Sequence, residues 1–342
     1  MTYLLPVPQS PQITIIGAGS WGTAIAILLA KNGVTTQLWG RDEKKIQRMI
    51  DERCNAFFLP QISFPEKLQA NTNFSQVILS ADIILIAVPS HAFRETLKKI
   101  KQVKPNLNNV CWATKGLEVG SQKLLHEVVI EEFGSKLSYA VISGPTFASE
   151  VAKGLPTAVT IASNQNNYAT LLADLFHNKT FRPYISSDVI GLEIGGAVKN
   201  ILAIAAGIAD GLGYGANTRA ALITRGIAEM TRLALKLGAK KETLMGMSGL
   251  GDLLLTCTDD QSRNRRMGLA IGSGKTLQQA QEEIVQVVEG IQTAKEIYNL
   301  SKKHQVNMPI VEQVYHVLYE NISAKQAVIN LLERDYTHEH LS

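Results

Sequence analysis

Short apolar runs rich in β-branched residues recur through the first half of the chain, at residues 13–16, 35–39, 82–90, 109–115 and 139–146. Runs of this length, bounded by small or polar residues, are typical of buried strands in a parallel sheet. A stretch of helical period at residues 23–31 separates the first two runs, and Gly33 is placed to end that helix. Together these elements predict a βαβ unit that opens a doubly wound α/β domain.

The pattern changes after Asp188. Residues 190–212 and 219–237 are long, helical in period and rich in alanine and glycine, and helical runs alternate with short breaks from there to about residue 333. Small residues on long helices permit close packing of one helix on another. We therefore predict a short tail at 1–11, an α/β domain at 12–190 and an all-helical domain at 191–342, with ligands bound in a cleft between the two domains.

The loop at residues 17–22, with the sequence GAGSWG, joins the first strand to the first helix. In such a GxGxxG loop, Gly17 makes the tight turn, Gly19 lets the backbone approach a pyrophosphate, and Gly22 lets the helix pack on the strand. The N–H groups and dipole at the helix start attract the phosphates. Glycine-rich loops are common, but this position within a unit of about 30 residues is the context of a dinucleotide-binding Rossmann domain.

The end of the second strand bears on the choice of cofactor. An NAD-specific site usually has an acidic residue there, which binds the ribose 2′-OH. Here the chain has Arg41, whose guanidinium can pair with a 2′-phosphate, followed by Asp42. Alternatively, Arg41 is a solvated loop cation and Asp42 the N-cap of the next helix. The pattern favours NADPH and leaves NADH open.

Three further strand ends open into small polar loops. In a doubly wound sheet these ends border the crevice where ligands bind. Lys115 follows one strand and is either a surface cation or a contact to nicotinamide or a substrate anion. The loop at residues 143–148 follows another. His91 follows a third, and we assign it no catalytic role because a histidine in such a loop is often structural.

In the second half, Lys199 lies in a small, apolar helical stretch. A buried ammonium without a partner is unfavourable, and a desolvated lysine near other cations has a lowered pKa, which suits it to proton transfer. Asp252 and the segment 262–266, with the sequence SRNRR, add a carboxylate and an anion clamp. The alternatives are a helix N-cap for Asp252 and an ordinary exposed turn for the arginine-rich segment. As a set, these residues suit the reduction of a phosphorylated ketone.

The composition of the chain narrows the classes of protein to which it can belong. Of 342 residues, 45% are hydrophobic and 19% charged, the balance of a folded protein. A dispersed net charge of +4 suits a small anionic substrate and argues against nucleic acid. The cysteines Cys54, Cys111 and Cys257 lack metal-ligand spacing, which predicts reduced thiols, a cytoplasmic protein and no metal. The N-terminus lacks a signal-peptide pattern, and the most apolar helical stretch, residues 201–209, is shorter than the roughly 20 residues of a membrane span.

Several segments considered together resemble the bacterial-type glycerol-3-phosphate dehydrogenases along nearly the whole chain. They are GAGSWGTA, LWGRD, AVPSH, TKGLE, SGPTFA, GGAVKN, GLGDLLLTC and SRNRRMG, with VVEG near residue 288. The set is specific, although no single segment is. Where some members of the family have serine in SGP-x-FA, this chain has Thr146, which keeps the hydroxyl.

The resemblance implies reversible reduction of dihydroxyacetone phosphate to sn-glycerol-3-phosphate by NADPH or NADH, which supplies the glycerophospholipid backbone. It implies that Lys199 is the proton donor and acceptor. The residues implied to contact NADPH are Ser20, Trp21, Arg41, Lys115, Ala148, Arg263, Val287 and Glu289. Those implied to contact the substrate are Lys115, Gly144, Thr146, Lys199, Asp252, Ser262, Arg263 and Asn264. We further expect a homodimer.

Two other functions are compatible with the pattern. One is a two-domain dehydrogenase acting on a hydroxy acid, a sugar acid or ketopantoate, since fold does not determine substrate. The other is a non-catalytic NADP(H) sensor, which would not need Lys199, Asp252 and Arg263 together. The segments recognised in the helical half favour glycerol-3-phosphate dehydrogenase over both.

Overall fold

A computed structural model describes residues 11–284 and 286–335. The tail predicted at residues 1–11 therefore lies almost wholly outside the described residues. The chain divides into two compact units. Within the described residues, the first unit contains 11–114 and 125–189, and the second contains 115–124 and 190–335.

The first unit contains an eight-stranded sheet within the described residues. Its strands are β1 Gln12–Ile16, β2 Thr35–Trp39, β3 Leu68–Asn71, β4 Ile83–Ile86, β5 Asn109–Trp112, β6 Ser138–Ser143, β7 Thr157–Ser163 and β8 Phe181–Ser186. Their order is β3-β2-β1-β4-β5-β6-β7-β8, and every neighbouring pair is parallel except β6 and β7. The side chains of β4 are all buried, as expected for a central strand covered on both faces.

Helices cover this sheet. They are α1 Ser20–Lys31, α2 Glu43–Glu52, α3 Phe74–Leu79, α4 Phe93–Val103, α5 Leu125–Phe133, α6 Ala148–Lys153 and α7 Asn166–Phe176, with a 3₁₀ turn at Ser90–Ala92. The predicted α/β class and the strand-helix-strand opening are confirmed. The predicted start of α1 at residue 23 is wrong, because Ser20, Trp21 and Gly22 of the loop already form its first turn. The strands β3, β7 and β8 were not predicted.

The described residues of the second unit contain helices and no β-strand. The helices are α8 Val189–Gly211, α9 Ala216–Lys236, α10 Lys241–Leu244, α11 Asp252–Thr258, α12 Arg263–Gly272, α13 Leu277–Ile284, α14 Glu289–Lys303, α15 Pro309–Tyr319 and α16 Ala324–Leu332, with a π-helical turn at Met247–Gly251. The predicted helical character of this half is confirmed.

Helix α8 is the core helix of the second unit. By length and composition it could cross a membrane, so the expectation that no stretch is long enough was wrong, but 94% of its apolar window is buried within the structure. Glycines bring α12 very close to it. A Cβ at Gly207 would lie 2.1 Å from the carbonyl oxygen of Arg265, and one at Gly268 would lie 2.0 Å from that of Ile204. Only glycine permits this separation of the two helices.

Candidate active site

The glycine loop after β1 is held in the geometry that a pyrophosphate site needs. Gly17 has φ +121°, and a Cβ there would lie 2.5 Å from the carbonyl oxygen of Ala87. A Cβ at Gly22 would lie 1.9 Å from the carbonyl oxygen of Gly17, so side chains are excluded at both positions. At Gly19, by contrast, a Cβ would have no described atom within 4 Å, which leaves the backbone accessible on that side.

The first turn of α1 presents donors at this loop. Gly19 is the N-cap residue and has no side chain with which to cap the helix. The backbone N–H groups of Ser20, Trp21 and Gly22 lie in the first turn, where helix geometry provides no intrahelical acceptor, and Gly19 cannot cap them. The positive end of the helix dipole adds to their attraction for an anion. The indole Nε1 of Trp21 is also buried without a hydrogen-bond partner among the described residues. The loop thus fits the phosphates of a dinucleotide.

Arg41 follows β2 and is exposed to solvent. Asp42 is the N-cap of α2, and its carboxylate accepts a hydrogen bond of 3.1 Å from the backbone N–H of Lys45. The capping alternative for Asp42 is therefore correct. Since Asp42 is used for the helix, Arg41 is the side chain at this strand end that is available for a 2′-phosphate.

The loop after β6 contains two of the predicted substrate residues and one predicted cofactor residue. Gly144 has φ +154°, and a Cβ there would lie 2.9 Å from the Cα of Val159 on β7. The hydroxyl of Thr146 donates a hydrogen bond of 3.2 Å to the carbonyl oxygen of Gly144. Ala148 begins α6. The glycine therefore allows the chain to turn tightly here, and the threonine stabilises the turn.

In the second unit, two lysines converge on one buried carboxylate. The Nζ atom of Lys115 lies 2.7 Å from Oδ2 of Asp252, and Nζ of Lys199 donates to Oδ1 of the same residue. Asp252 has no exposed surface and Lys199 is only 6% exposed. We refer to Lys115, Lys199 and Asp252 as the lysine–aspartate cluster. Two ammonium groups on one carboxylate leave an excess of positive charge, which suits an anionic ligand.

The backbone positions these groups through a close approach of α8 to the π-helical turn. A Cβ at Gly195 would lie 2.3 Å from the carbonyl oxygen of Ser248. Lys199 and Asp252 each follow four residues later, so the next turn of each helix brings their side chains together. Lys115 is held by its own segment, in which Leu117 and Leu124 belong to the hydrophobic core of the second unit.

Thr256 is a member of this site that sequence reasoning missed. Its hydroxyl accepts a hydrogen bond of 3.0 Å from Nζ of Lys199 and donates one of 2.5 Å to the carbonyl oxygen of Asp252. It is 5% exposed. The signal was present, since residues four apart on a helix share a face and Thr256 lies one turn after Asp252.

Burial and neighbouring charges shift the pKa values of Lys199 and Lys115 in opposite directions. Burial disfavours the ammonium form of Lys199, and although the Asp252 carboxylate opposes this, the charge of Lys115 reinforces it, so the pKa of Lys199 is lowered to about 7. Burial acts on Lys115 as well, but the Asp252 carboxylate and Glu289 outweigh it and raise the pKa of Lys115. Lys199 is therefore the member of the pair that can exchange a proton near neutral pH.

A second polar group in the same unit contains the predicted anion clamp. Ser262 is the N-cap of α12, and its hydroxyl accepts from the backbone N–H of Arg265 at 3.2 Å. Asn264 donates from Nδ2 to Oδ1 of Asn200 at 2.9 Å and accepts at Oδ1 from the backbone N–H of Gly290, also at 2.9 Å. The segment is an ordered helix start, so the alternative of an ordinary exposed turn is wrong.

The predicted cofactor residues Arg263, Val287 and Glu289 are also neighbours. The Nη1 atom of Arg263 donates a hydrogen bond of 2.9 Å to the carbonyl oxygen of Val287. The side chain of Val287 is 55% exposed, and Glu289 begins α14. Asn200, which follows Lys199 directly, was not predicted as a site residue, yet it joins this group through Asn264.

Comparison with known proteins places most of the chain in one family. Residues 12–169 match the N-terminal domain of the NAD-dependent glycerol-3-phosphate dehydrogenases, and residues 188–329 match their C-terminal domain. This chain belongs to the NAD-dependent glycerol-3-phosphate dehydrogenase family. The family predicted from the sequence is therefore confirmed.

Individual members of the family cover nearly the full length of the chain. It is 52% identical over 328 residues to the glycerol-3-phosphate dehydrogenase [NAD(P)+] of Pseudoalteromonas translucida, covering 96% of this chain and 98% of the relative. It is 53% identical over 325 residues to that of Colwellia psychrerythraea, covering 95% and 97%. The crystal structure of the Coxiella burnetii glycerol-3-phosphate dehydrogenase superposes with a TM-score of 0.92 at 47% identity, covering 95% of this chain and 99% of that one.

Family membership decides among the functions left open by the sequence. An NAD(P)-dependent glycerol-3-phosphate dehydrogenase is an oxidoreductase that uses a nicotinamide nucleotide, so the predicted enzyme class and cofactor type are confirmed, in preference to the other two-domain dehydrogenases and the sensor. Within residues 11–284 and 286–335, no group of three or more His, Cys, Asp or Glu side chains could hold a metal ion.

Proposed function

We propose that this member of the glycerol-3-phosphate dehydrogenase family reduces dihydroxyacetone phosphate to sn-glycerol-3-phosphate, reversibly, and that Lys199 transfers the proton. The observation that carries the proposal is the lysine–aspartate cluster, in which a buried lysine with a pKa lowered to about 7 is fixed on a buried carboxylate. A group that titrates near the working pH is suited to both donating and accepting a proton.

Bound NAD(P)H supplies the hydride that reaches C2 of the ketone. The carbonyl oxygen gains negative charge as this happens, and the ammonium of Lys199 stabilises that charge and then donates a proton to the oxygen. Asp252 and the hydroxyl of Thr256 hold Nζ of Lys199 in one orientation. The same group serves both directions, so in the reverse reaction the neutral amine of Lys199 accepts the proton of the alcohol.

The substrate phosphate requires cationic and hydrogen-bonding partners. We assign this role to Ser262, Arg263 and Asn264, together with Lys115, whose raised pKa keeps it charged. Gly144 and Thr146 contribute backbone and hydroxyl groups. Binding of the remote phosphate fixes the ketone relative to Lys199, and such positioning lowers the barrier to reaction.

The nucleotide is assigned to the glycine loop, Ser20, Trp21 and Arg41, with further contacts from Lys115, Ala148, Arg263, Val287 and Glu289. Support comes from Gly19, which is half-buried but where a Cβ would meet no described atom within 4 Å, and from the exposed guanidinium of Arg41. We also propose that the protein is a homodimer in the cytoplasm and that its product enters glycerophospholipid synthesis. The thiols of Cys54, Cys111 and Cys257 are free, in keeping with a reducing compartment.

Replacement of Lys199 tests the central assignment. Lys199→Met keeps the length of the side chain and removes its proton, so we expect kcat for dihydroxyacetone phosphate to fall by about 10²- to 10⁴-fold, the usual contribution of positioned proton transfer. NADPH affinity, measured by fluorescence titration, should stay within twofold of the wild-type value. Turnover is followed by NADPH absorbance at 340 nm.

Lys236→Met, at an exposed position on α9, is the matched control and should retain wild-type turnover. Near-normal kcat in Lys199→Met would remove Lys199 from the proton-transfer role. Absence of substrate-dependent NADPH oxidation in the wild-type protein would refute the proposed reaction itself.

A further inference from the structure

The second unit contains a large cavity that the proposed reaction does not use. Its volume is about 740 Å³, within the range of roughly 300–1,000 Å³ typical of small-molecule sites. The walls come from α8, α9, α15 and α16 and include Ala205, Ile208, Leu222, Val314, Val317 and Leu331. None of Lys115, Lys199, Asp252 and Thr256 lines it.

Most of this wall is apolar, and the apolar surface extends to the outside. Ala205, Ile208 and Val314 are nearly fully buried at the base of the cavity. Leu332, at its edge, is 76% exposed. A cavity with an apolar base and an exposed apolar edge can bury a hydrocarbon body, and the removal of that apolar surface from water is favourable.

The charged groups of the cavity are predominantly cationic. Arg225, Arg232 and Arg334 line it, against the two carboxyl groups of Glu229 and Asp335. Arg225 and Arg334 are both exposed, and among the described residues neither has an ion-pair partner within 4.0 Å. Burial lowers the pKa of Arg232, the Glu229 carboxylate opposes this shift, and the like charges of Arg225 and Arg334 reinforce it.

The buried carboxyl group of Glu229 offsets this charge only in part. Glu229 caps the start of α15, accepting from the backbone N–H of Ile310 at 2.8 Å and of Val311 at 3.3 Å. Burial raises its pKa to about 7, so it is only partly ionised at neutral pH. Arg232 is also engaged, since its Nη2 donates to the carbonyl oxygen of Asn307 at 2.9 Å. Arg225 and Arg334 therefore remain as the cations available to a ligand.

We propose that this cavity is a second binding site, which takes an amphiphilic anion with its hydrocarbon body against α8, α15 and α16 and its carboxylate or phosphate head at Arg225 and Arg334. The planar fork of arginine matches both kinds of head group, with two parallel hydrogen bonds to each. An arginine pair alone would bind any small anion, and an apolar cavity alone would bind any hydrocarbon. Because the cavity has both features, it favours a molecule with an anionic head and a hydrocarbon body.

Isothermal titration calorimetry on the full chain tests the proposal with four probes. Dodecanoate and dodecyl phosphate are kept below their micelle concentrations, dodecanol below its solubility limit, and inorganic phosphate is the fourth probe. We expect saturable binding of dodecanoate and dodecyl phosphate, with one molecule per chain. Dodecanol should bind at least tenfold more weakly, since it lacks the charge, and inorganic phosphate should not bind at this site. The relative affinity of the first two distinguishes a carboxylate from a phosphate as the preferred head group.

Two variants locate the binding. Arg225→Ala combined with Arg334→Ala should weaken dodecanoate binding at least tenfold, because the charged hydrogen bonds to the head group are lost. Ala221→Trp, at an exposed position on the cavity wall, should block the hydrocarbon body. Arg182→Ala, an exposed arginine on β8, is the control and should bind as the wild type does.

Each alternative result overturns the proposal. No binding of either anionic amphiphile, or equal binding of dodecanol, would exclude an anion site. Unchanged affinity in both cavity variants would place the binding elsewhere. Self-association that Ala221→Trp abolishes, together with no amphiphile binding, would show that a second copy of the chain covers this surface instead. Thermal unfolding of each variant, expected within about 2 °C of the wild type, verifies that folding is intact.

Discussion

In the first unit, Gly17, Gly19 and Gly22 lie within six consecutive residues, whereas the lysine–aspartate cluster of the second unit unites residues that are 53 and 137 positions apart in the chain. The first site is a local structure, built by one turn between a strand and a helix. The second depends on the packing of α8 against a π-helical turn and on a separate segment that contains Lys115. A local site is specified by short-range sterics, whereas a dispersed one depends on the folding of its whole unit.

The comparison leads to a first prediction, on Asp252, where the largest effect is expected. Asp252→Asn removes the carboxylate that the buried Lys199 and the half-buried Lys115 share. We expect kcat to fall by more than about 100-fold and the free energy of unfolding to fall by roughly 3–5 kcal/mol, since breaking a buried ion pair leaves an uncompensated charge. Steady-state kinetics and urea denaturation measure the two effects.

Asp174→Asn, at an exposed position on α7, is the control and should change neither quantity. If Asp252→Asn is as stable and as active as the control, the claim that the site of the second unit depends on its tertiary contacts is contradicted. The second site would then not depend on tertiary charge pairing.

The glycine loop provides the corresponding test for the local site. A Cβ at Gly22 would meet the carbonyl oxygen of Gly17, so Gly22→Ala should distort the loop at a cost of about 1–3 kcal/mol and weaken NADPH roughly 10- to 100-fold. Gly19→Ala adds the same methyl group where no described atom is near, so it should leave the melting temperature unchanged and weaken only NADPH binding. Fluorescence titration and thermal melting separate the two variants. Equal NADPH affinity in wild type and Gly19→Ala would mean that the phosphates do not approach this backbone.

The same contrast explains how much the sequence could predict. The loop, β1, β2 and the Asp42 cap option follow from local rules, because glycine, β-branched residues and capping residues act through their immediate neighbours. For Lys199, sequence reasoning identified an unfavourable burial and named Asp252 as the carboxylate that would offset its charge, but it did not predict that Lys115 shares this carboxylate. Thr256 was missed because its role depends on contact with a lysine from another helix. Strands β7 and β8 were missed because their sequences are partly polar and β8 contains Pro183, so neither shows a continuous apolar run.

A third prediction concerns the pH dependence of turnover. On the side of the pKa where the required form of Lys199 becomes scarce, the rate should fall about tenfold per pH unit. Reduction requires the ammonium form of Lys199, whose pKa is lowered to about 7, so kcat/KM for dihydroxyacetone phosphate should fall as pH rises above 7. Oxidation of glycerol-3-phosphate requires the neutral amine and should instead rise through pH 7 and level off. Initial rates between pH 5.5 and 9 in both directions test this.

The partners of Lys199 should set the position of that midpoint. The Asp252 carboxylate raises the pKa of Lys199, so the residual activity of Asp252→Asn should show its midpoint at lower pH than the wild type. Profiles that are flat from pH 6 to 9 in both directions would show that another group transfers the proton.

The smallest effect on cofactor binding is expected at Arg41, which belongs to the local site of the first unit and is exposed to solvent. Arg41 is exposed, so its contact with a 2′-phosphate is screened by water and contributes about 1–2 kcal/mol at most, less than a buried charged hydrogen bond. Arg41→Ala should therefore raise KM for NADPH about tenfold and change KM for NADH less than twofold, because NADH lacks the phosphate. Arg48→Ala, an exposed arginine on α2, should alter neither constant. If Arg41→Ala raises both constants equally, the guanidinium does not recognise the phosphate, and cofactor choice depends on residues that the local pattern does not contain.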